Sequence, residues 1–336
     1  MKRTDWVDRA KGMGILLVVL GHACVPSLVS ISQVLEKIYL FIYTFHMPVF
    51  MYLSGYTFFH FSKKQSFVNF AIKKFKSLIC PYAIYVLAMY LFFWCISLVP
   101  VLNNMIGVNG PFSFPNMLKD IVFCEGALDK HLWYIYLLFF ISMVAYCIDN
   151  KKWIKCILIL VCTVGGPILF QKNLLPIYNL PYYLPIFFLG KVDINSIINK
   201  MSNRTRMSFS IGYLAFEAFY LCNIQWLKGL GYGLAYIKYI AGYLGIVFFF
   251  ICMNGVRIKH VKSVLQYMGQ RSFVIYLFHQ PIVVSGTALV SYKLLHSPIA
   301  SLIISTFAGI IVPILLELVY RKVKDYVRKN CKKLYI

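Results

Sequence analysis

The chain has 336 residues, of which 60% are hydrophobic and only 13% charged, with 34 Lys and Arg against 11 Asp and Glu. About 25% charged and 45–50% apolar residues is usual in a globular protein, so a water-soluble enzyme, a disulfide-rich secreted domain and a disordered chain are all excluded. The net charge of +23 sits in short clusters between apolar runs rather than on one water-facing domain, which excludes a nucleic-acid partner and marks the cations as topology signals.

In chain order, a hydropathy window of roughly 19 residues predicts an all-α, polytopic membrane bundle of about ten spans, at 12–29, 38–61, 77–99, 131–149, 153–170, 174–190, 207–223, 232–253, 272–292 and 298–320. The basic start at 2–11 followed by an apolar run mimics a secretory signal, but no A-x-A-like cleavage site follows, so it is read as a retained first span. The sixth span, LPIYNLPYYLPIFFLG, holds three prolines and is expected to be kinked or partly re-entrant. Lys and Arg test this count, because short cytoplasmic loops collect them. With the N-terminus inside, every inside connection is richer in Lys and Arg than every outside one. Omitting the sixth span would put the strongly basic segments after it outside. Both termini are therefore expected in the cytoplasm, with a membrane domain over 1–320 and a basic cytoplasmic tail over 321–336 that suits lipid headgroups. The connection 100–130 then faces outward and carries Asp120, Glu125 and Asp129. The ten cysteines lie mostly inside apolar runs, with no CxxC pair, and read as free core residues.

Ionisable groups inside a bilayer are costly and so mark candidate functional positions. Asp8, Lys11 and His22 are 3 and 11 residues apart. Eleven steps of about 100° make three turns plus about 20°, so Lys11 and His22 share a stripe, with His22 roughly 16 Å further along. The second span carries His46 at a comparable depth, followed by Pro48 and the small pair Ser54-Gly55. Ser272, Tyr276 and His279 fall on one face of the ninth span, and His131 opens the fourth. His60, His260 and His296 lie at span ends or in loops and are given no role. For His279 a plain interhelical hydrogen bond stands beside a functional reading. A midmembrane imidazole behind a basic entrance suits a general base in acyl transfer from an anionic acyl-coenzyme A. It equally suits a proton relay in a saccharide or lipid exporter or flippase. A metal is not expected, because no compact His and carboxylate ligand set is visible.

DRAKGMGILLVVLGH (8–22) and FHMPVFMYLSGY (45–56) resemble the opening signatures of the acyltransferase 3 family of multi-span membrane acyltransferases, in particular its fucose 4-O-acetylase-like branch. HLWYIY (131–136) and MGQRSFVIYLFHQPIV (268–283) resemble later patterns of the family in the same order. The resemblance implies transfer of an acyl group, most often acetyl from acetyl-CoA, to a hydroxyl of a cell-surface or capsular polysaccharide or its lipid-linked precursor, in a bacterial plasma membrane. O-succinyl transfer is the variant within the same class. Carried over by position, His22 is the leading catalytic residue and Lys11 binds or orients the donor, with Asp8 orienting Lys11. His46 is a second catalytic candidate that lines the cavity or polarises the thioester. Ser54, Tyr276 and His279 are candidate cavity-lining residues, and Glu125, Asp129 and His131 are candidates for the acceptor side. Many family members have Arg where this chain has Lys11, which keeps the charge but not the bidentate fork. The chain also carries no appended esterase-type domain, so the membrane domain is expected to complete the transfer or hand it on.

Overall fold

A computed structural model describes residues 5–62, 65–99, 114–125, 130–172 and 175–333. Among the described residues every regular element is helical and no strand occurs. Among the described residues five helices are long and apolar enough to cross a membrane: Gln33–Phe61, Phe67–Ser97, Lys152–Gln171, Tyr232–Gly255 and Pro298–Arg328. A sixth candidate is the bent pair Ser272–Phe278 and Ile282–Leu295, while Trp133–Ile148 is apolar but shorter.

Prolines explain where the helices differ from the expected spans. The run expected at 12–29 is a helix over Asp5–Ala23 followed by a single turn over Pro26–Val29. Val25, which precedes proline, is extended (φ −66°, ψ 149°), the conformation that proline's ring imposes on its predecessor. A π-helical stretch, Phe75–Ile79, interrupts Phe67–Ser97 just before Pro81. The wider turn relieves the clash between a proline ring and the carbonyl four residues back. The run expected at 174–190 holds a short turn, Pro176–Asn179, and a helix of only ten residues, Leu180–Leu189. At about 1.5 Å per residue that helix covers roughly half of a ~30 Å hydrocarbon core. The run expected at 272–292 is not one helix, since the chain breaks around His279 to Pro281 and turns by 61°. Two segments expected to be connections are helical: Lys259–Gln270 and Phe114–Phe123. The last helix runs on through the basic tail to Lys333.

The chain forms two compact units, Met1–His46 with Ile251–Ile336, and Met47–Phe250. In the first, Asp5–Ala23 packs along Lys259–Gln270 and also meets Ser272–Phe278, Ile282–Leu295 and Pro298–Lys333. Glycine permits the closest of these approaches. A Cβ on Gly12 would lie 1.8 Å from the Leu265 carbonyl oxygen, and one on Gly269 would lie 1.7 Å from that of Asp8. Gln266 adds a bond from its Nε2 to Asp5 Oδ1 at 3.0 Å.

In the second unit, Leu180–Leu189 packs against Lys152–Gln171 and Trp133–Ile148. Gly55 again allows close approach, since a Cβ there would lie 1.9 Å from the Phe187 carbonyl oxygen. The Tyr52 hydroxyl donates to Val192 O at 2.8 Å and accepts from Ile194 N at 3.1 Å, and Tyr56 donates to Asp193 Oδ2 at 3.3 Å. Asp149 pairs with Lys191 and lies 3.6 Å from Lys155 Nζ.

Candidate active site

Three helices of the first unit bring imidazoles together. His22 stands in the last turn of Asp5–Ala23, whose glycines and alanines keep that helix slim. Its ring centroid is 5.1 Å from that of His279 and 6.2 Å, edge-on, from that of Tyr43. Tyr43 in turn lies 4.6 Å from His46, also edge-on, and 4.1 Å from Tyr39. Tyr276 approaches His279 at 5.9 Å. The result is a chain of rings, His46–Tyr43–His22–His279–Tyr276.

Small residues make room for it. A Cβ on Gly21 would lie 3.1 Å from the Tyr43 ring, and one on Gly309 would meet Val284, Val19 and His279. The helix break supplies a further tie: Gln280 Nε2 donates to the His22 carbonyl oxygen at 3.4 Å and its Oε1 accepts from Ser285 at 2.8 Å.

The three imidazoles are not held alike. His46 Nδ1–H donates to Ile42 O at 2.7 Å, and His279 Nδ1–H donates to Tyr276 O at 2.8 Å and Ile275 O at 3.1 Å. Each bond to the ring's own helix fixes the tautomer and leaves Nε2 as the lone-pair nitrogen of the neutral ring. Both rings are buried. His22 is partly exposed, and among the described residues its ring makes aromatic contacts but no hydrogen bond. It is the imidazole of the three with both nitrogens left for a ligand.

The sequence-predicted residues divide accordingly. His22, His46, Tyr276 and His279 join the cluster. Lys11 and Asp8 occupy the same helix as His22, Asp8 buried and Lys11 partly so. Their eleven- and fourteen-residue separations from His22 put them about 16 and 21 Å away along the axis. Ser54 belongs to the second unit, where its hydroxyl shares a 2.6 Å hydrogen bond with Tyr134, which also donates to Phe50 O at 3.2 Å. His131 is buried in that unit with its ring 5.8 Å from Tyr85, and Glu125 is exposed. Asp129 lies outside the described residues. No group of three or more His, Cys, Asp or Glu side chains that could hold a metal occurs among the described residues.

Tyr43 and Gln280 escaped sequence reasoning. Tyr43 is three residues before His46, one turn away on the same face, and that spacing is a usable signal. Gln280 acts through a helix break, which a hydropathy window averages away.

The model of a family described as an acyltransferase domain matches residues 4–318, nearly the whole chain. No curated protein and no solved structure matches it.

Proposed function

Since the chain belongs to the acyltransferase 3 family and is thereby a membrane O-acyltransferase, we propose that it moves an acetyl group from acetyl-CoA to a hydroxyl of a cell-surface or capsular polysaccharide, or of its lipid-linked precursor. The setting proposed is a bacterial plasma membrane, with about ten spans and both termini in the cytoplasm. The observation that supports this best is the partly exposed His22 imidazole between His279 and Tyr43, with no hydrogen bond of its own among the described residues.

His22 acts as general base. It takes the proton of the acceptor hydroxyl as that oxygen attacks the thioester carbonyl. The new ester C–O bond forms, the C–S bond breaks, and the departing thiolate takes up the proton that the imidazolium carries. His279 and Tyr43 confine the ring, so little orientational freedom is lost at the moment of reaction. His46 lines the cavity: with its Nδ1–H held by Ile42, the neutral ring has no proton to offer a carbonyl, which favours lining over polarising. Lys11, about 16 Å from His22, attracts the phosphates at the far end of the extended donor, and Asp8 orients it. Glu125, Asp129 and His131 remain acceptor-side candidates.

The test is the acetate released by mild alkali from surface polysaccharide of a deletion strain complemented with wild type, His22→Ala or Lys11→Ala, with membrane levels of each variant measured. Acetate should vanish in the deletion, return with wild type and stay absent with His22→Ala. Unchanged acetate with polysaccharide that fails to reach the surface would overturn the reading in favour of export.

A further inference from the structure

The helix Lys259–Gln270 has more apolar surface than its protein neighbours cover. At about 100° per residue its apolar residues Tyr267, Val264, Met268, Val261, Leu265 and Gly269 occupy an arc of roughly 200° that His260 interrupts, between Tyr267 and Val264. Only one side of that arc is buried: Leu265, Met268 and Gly269 face the helix Asp5–Ala23. Val261, Val264 and Tyr267, at i, i+3 and i+6, are 40%, 57% and 40% exposed, as is Ile258 at the helix start at 65%.

The remaining arc is polar, and the charges on it are positive. Lys259 and Lys262 lie on it about 60° apart, beside Ser263, Gln266 and Gln270, and Arg257 precedes the helix. No Asp or Glu occurs in the chain between Glu217 and Glu317. The cationic surface also continues into the tail. Arg271 stacks on Tyr267, 3.6 Å from the ring centroid, and pairs with Glu317 at 3.2 Å. Glu317 holds Arg321 as well, and Arg321, Lys322, Lys324 and Arg328 beyond it are exposed.

We propose that Lys259–Gln270 lies in a membrane surface and binds anionic lipid, with Val261, Val264 and Tyr267 among the acyl chains and Lys259, Lys262 and Arg257 at the headgroups. Two features argue for lipid as the occupant. A helix with a wide apolar arc flanked by cations has the pattern of interfacial binding, and anionic headgroups supply the charge that a segment without acids lacks. The docking has a consequence for the site. The docked helix is clamped through Gly12 and Gly269 to the helix that carries Lys11 and His22, and it runs directly into Ser272–Phe278, which leads to His279. Anionic lipid would therefore hold both sides of the His22–His279 contact, a consequence that rests on the acyltransferase reading, whereas the lipid binding does not.

The test uses the full chain in nanodiscs and reads fluorescence rather than activity, so its outcome is independent of whether the chain transfers acetyl groups. Val264→Trp and the control Ser263→Trp, on the polar arc, are each compared with the parent protein as brominated phosphatidylglycerol or brominated phosphatidylcholine is added at equal mole fractions. Both variants are first checked for monodispersity, and Tyr267→Trp replaces Val264→Trp if the latter aggregates. The tryptophan at 264 should be quenched and that at 263 spared. The affinity for the anionic phosphatidylglycerol should exceed that for phosphatidylcholine by about fivefold or more. Lys259→Gln with Lys262→Gln in the Val264→Trp background should bring that ratio close to one while quenching persists. Absence of quenching at 264 overturns the docking, and equal quenching by the two lipids before the lysines are replaced overturns the anionic preference.

Discussion

In the second unit the polar side chains within helices are largely hydroxyls that end on protein oxygens: Tyr52 on Val192, Tyr134 on Phe50, and Tyr56 on Asp193. The first unit has such hydroxyls too, Thr44 on Phe41, Ser291 on Thr287 and Ser305 on Ser301, but it adds three imidazoles, two anchored through Nδ1 and the third, His22, held by rings alone among the described residues. A hydroxyl whose donor is satisfied by a carbonyl stiffens the scaffold and has little left for a substrate. An imidazole kept in place by ring packing retains both nitrogens for proton transfer. The contrast separates side chains that build the membrane body from those available for chemistry, although both kinds are intramembrane polar residues by sequence.

The sharpest way to break that contrast is to replace one residue from each side. His22→Ala should lower transfer by about 10²- to 10⁴-fold, the range for loss of a general base, with a melting temperature near that of wild type because the ring makes no hydrogen bond among the described residues. Tyr52→Phe should do the reverse, leaving the catalytic rate within a few-fold while removing two hydrogen bonds worth about 0.5–1.5 kcal/mol each. Transfer assays on membranes, paired with thermal melts of detergent-purified protein, decide the matter. Equal losses of stability in both variants would erase the distinction.

The packing of the helix that carries His22, at its other end, gives the next largest effect. Gly269→Val would drive side-chain atoms onto the Asp8 carbonyl, and overpacking of this kind costs about 1–3 kcal/mol. Gly286 sits within the helix Ile282–Leu295 with nothing within 4 Å of a Cβ, so Gly286→Ala should instead stabilise by about 0.4–1 kcal/mol. Opposite shifts in melting temperature would show that the helix pair at Gly12 and Gly269 is a contact and not merely a glycine-rich stretch.

Much of this is legible in the amino-acid sequence, and unevenly so. The Lys11–His22 stripe and the choice of His22, His46 and His279 as candidates follow from which residue types a bilayer tolerates, because an ionisable group there needs a reason. The meeting of His22 with His279 joins residues more than 250 positions apart and leaves no periodic trace. The break before Pro281 was readable in principle, since proline removes a donor and restricts Gln280, but a 19-residue average hides a short local turn. Lys259–Gln270 reads as a connection because its lysines lower mean hydropathy, although its apolar residues keep helical spacing. The Ser54 hydroxyl bonds Tyr134, 80 positions away, a partner that no local spacing announces.

Asp120 provides the smallest and most selective test, because it is a buried acid that belongs to the hydroxyl-bonded side of the comparison. It sits on Phe114–Phe123, where Tyr90 donates to its carboxylate and Tyr82 donates to its backbone oxygen at 2.5 Å. Burial pushes its pKa up, the Tyr90 hydrogen bond works against that shift, and Glu125 adds to it. A carboxyl whose folded pKa lies above the unfolded one contributes stability that is fully present below the ordinary carboxylate range and is lost as the pH rises through the folded value. Asp120→Asn keeps an oxygen for Tyr90 but cannot ionise. Melts across pH should therefore show no advantage for the variant in acid and a small gain, under about 1 kcal/mol, above the folded pKa. Asp120→Leu, which strands the Tyr90 hydroxyl, should be destabilised at every pH. A loss of stability in Asp120→Asn at neutral pH would mean that the ionised carboxylate itself is required, and would move Asp120 from the scaffold to the chemically available residues.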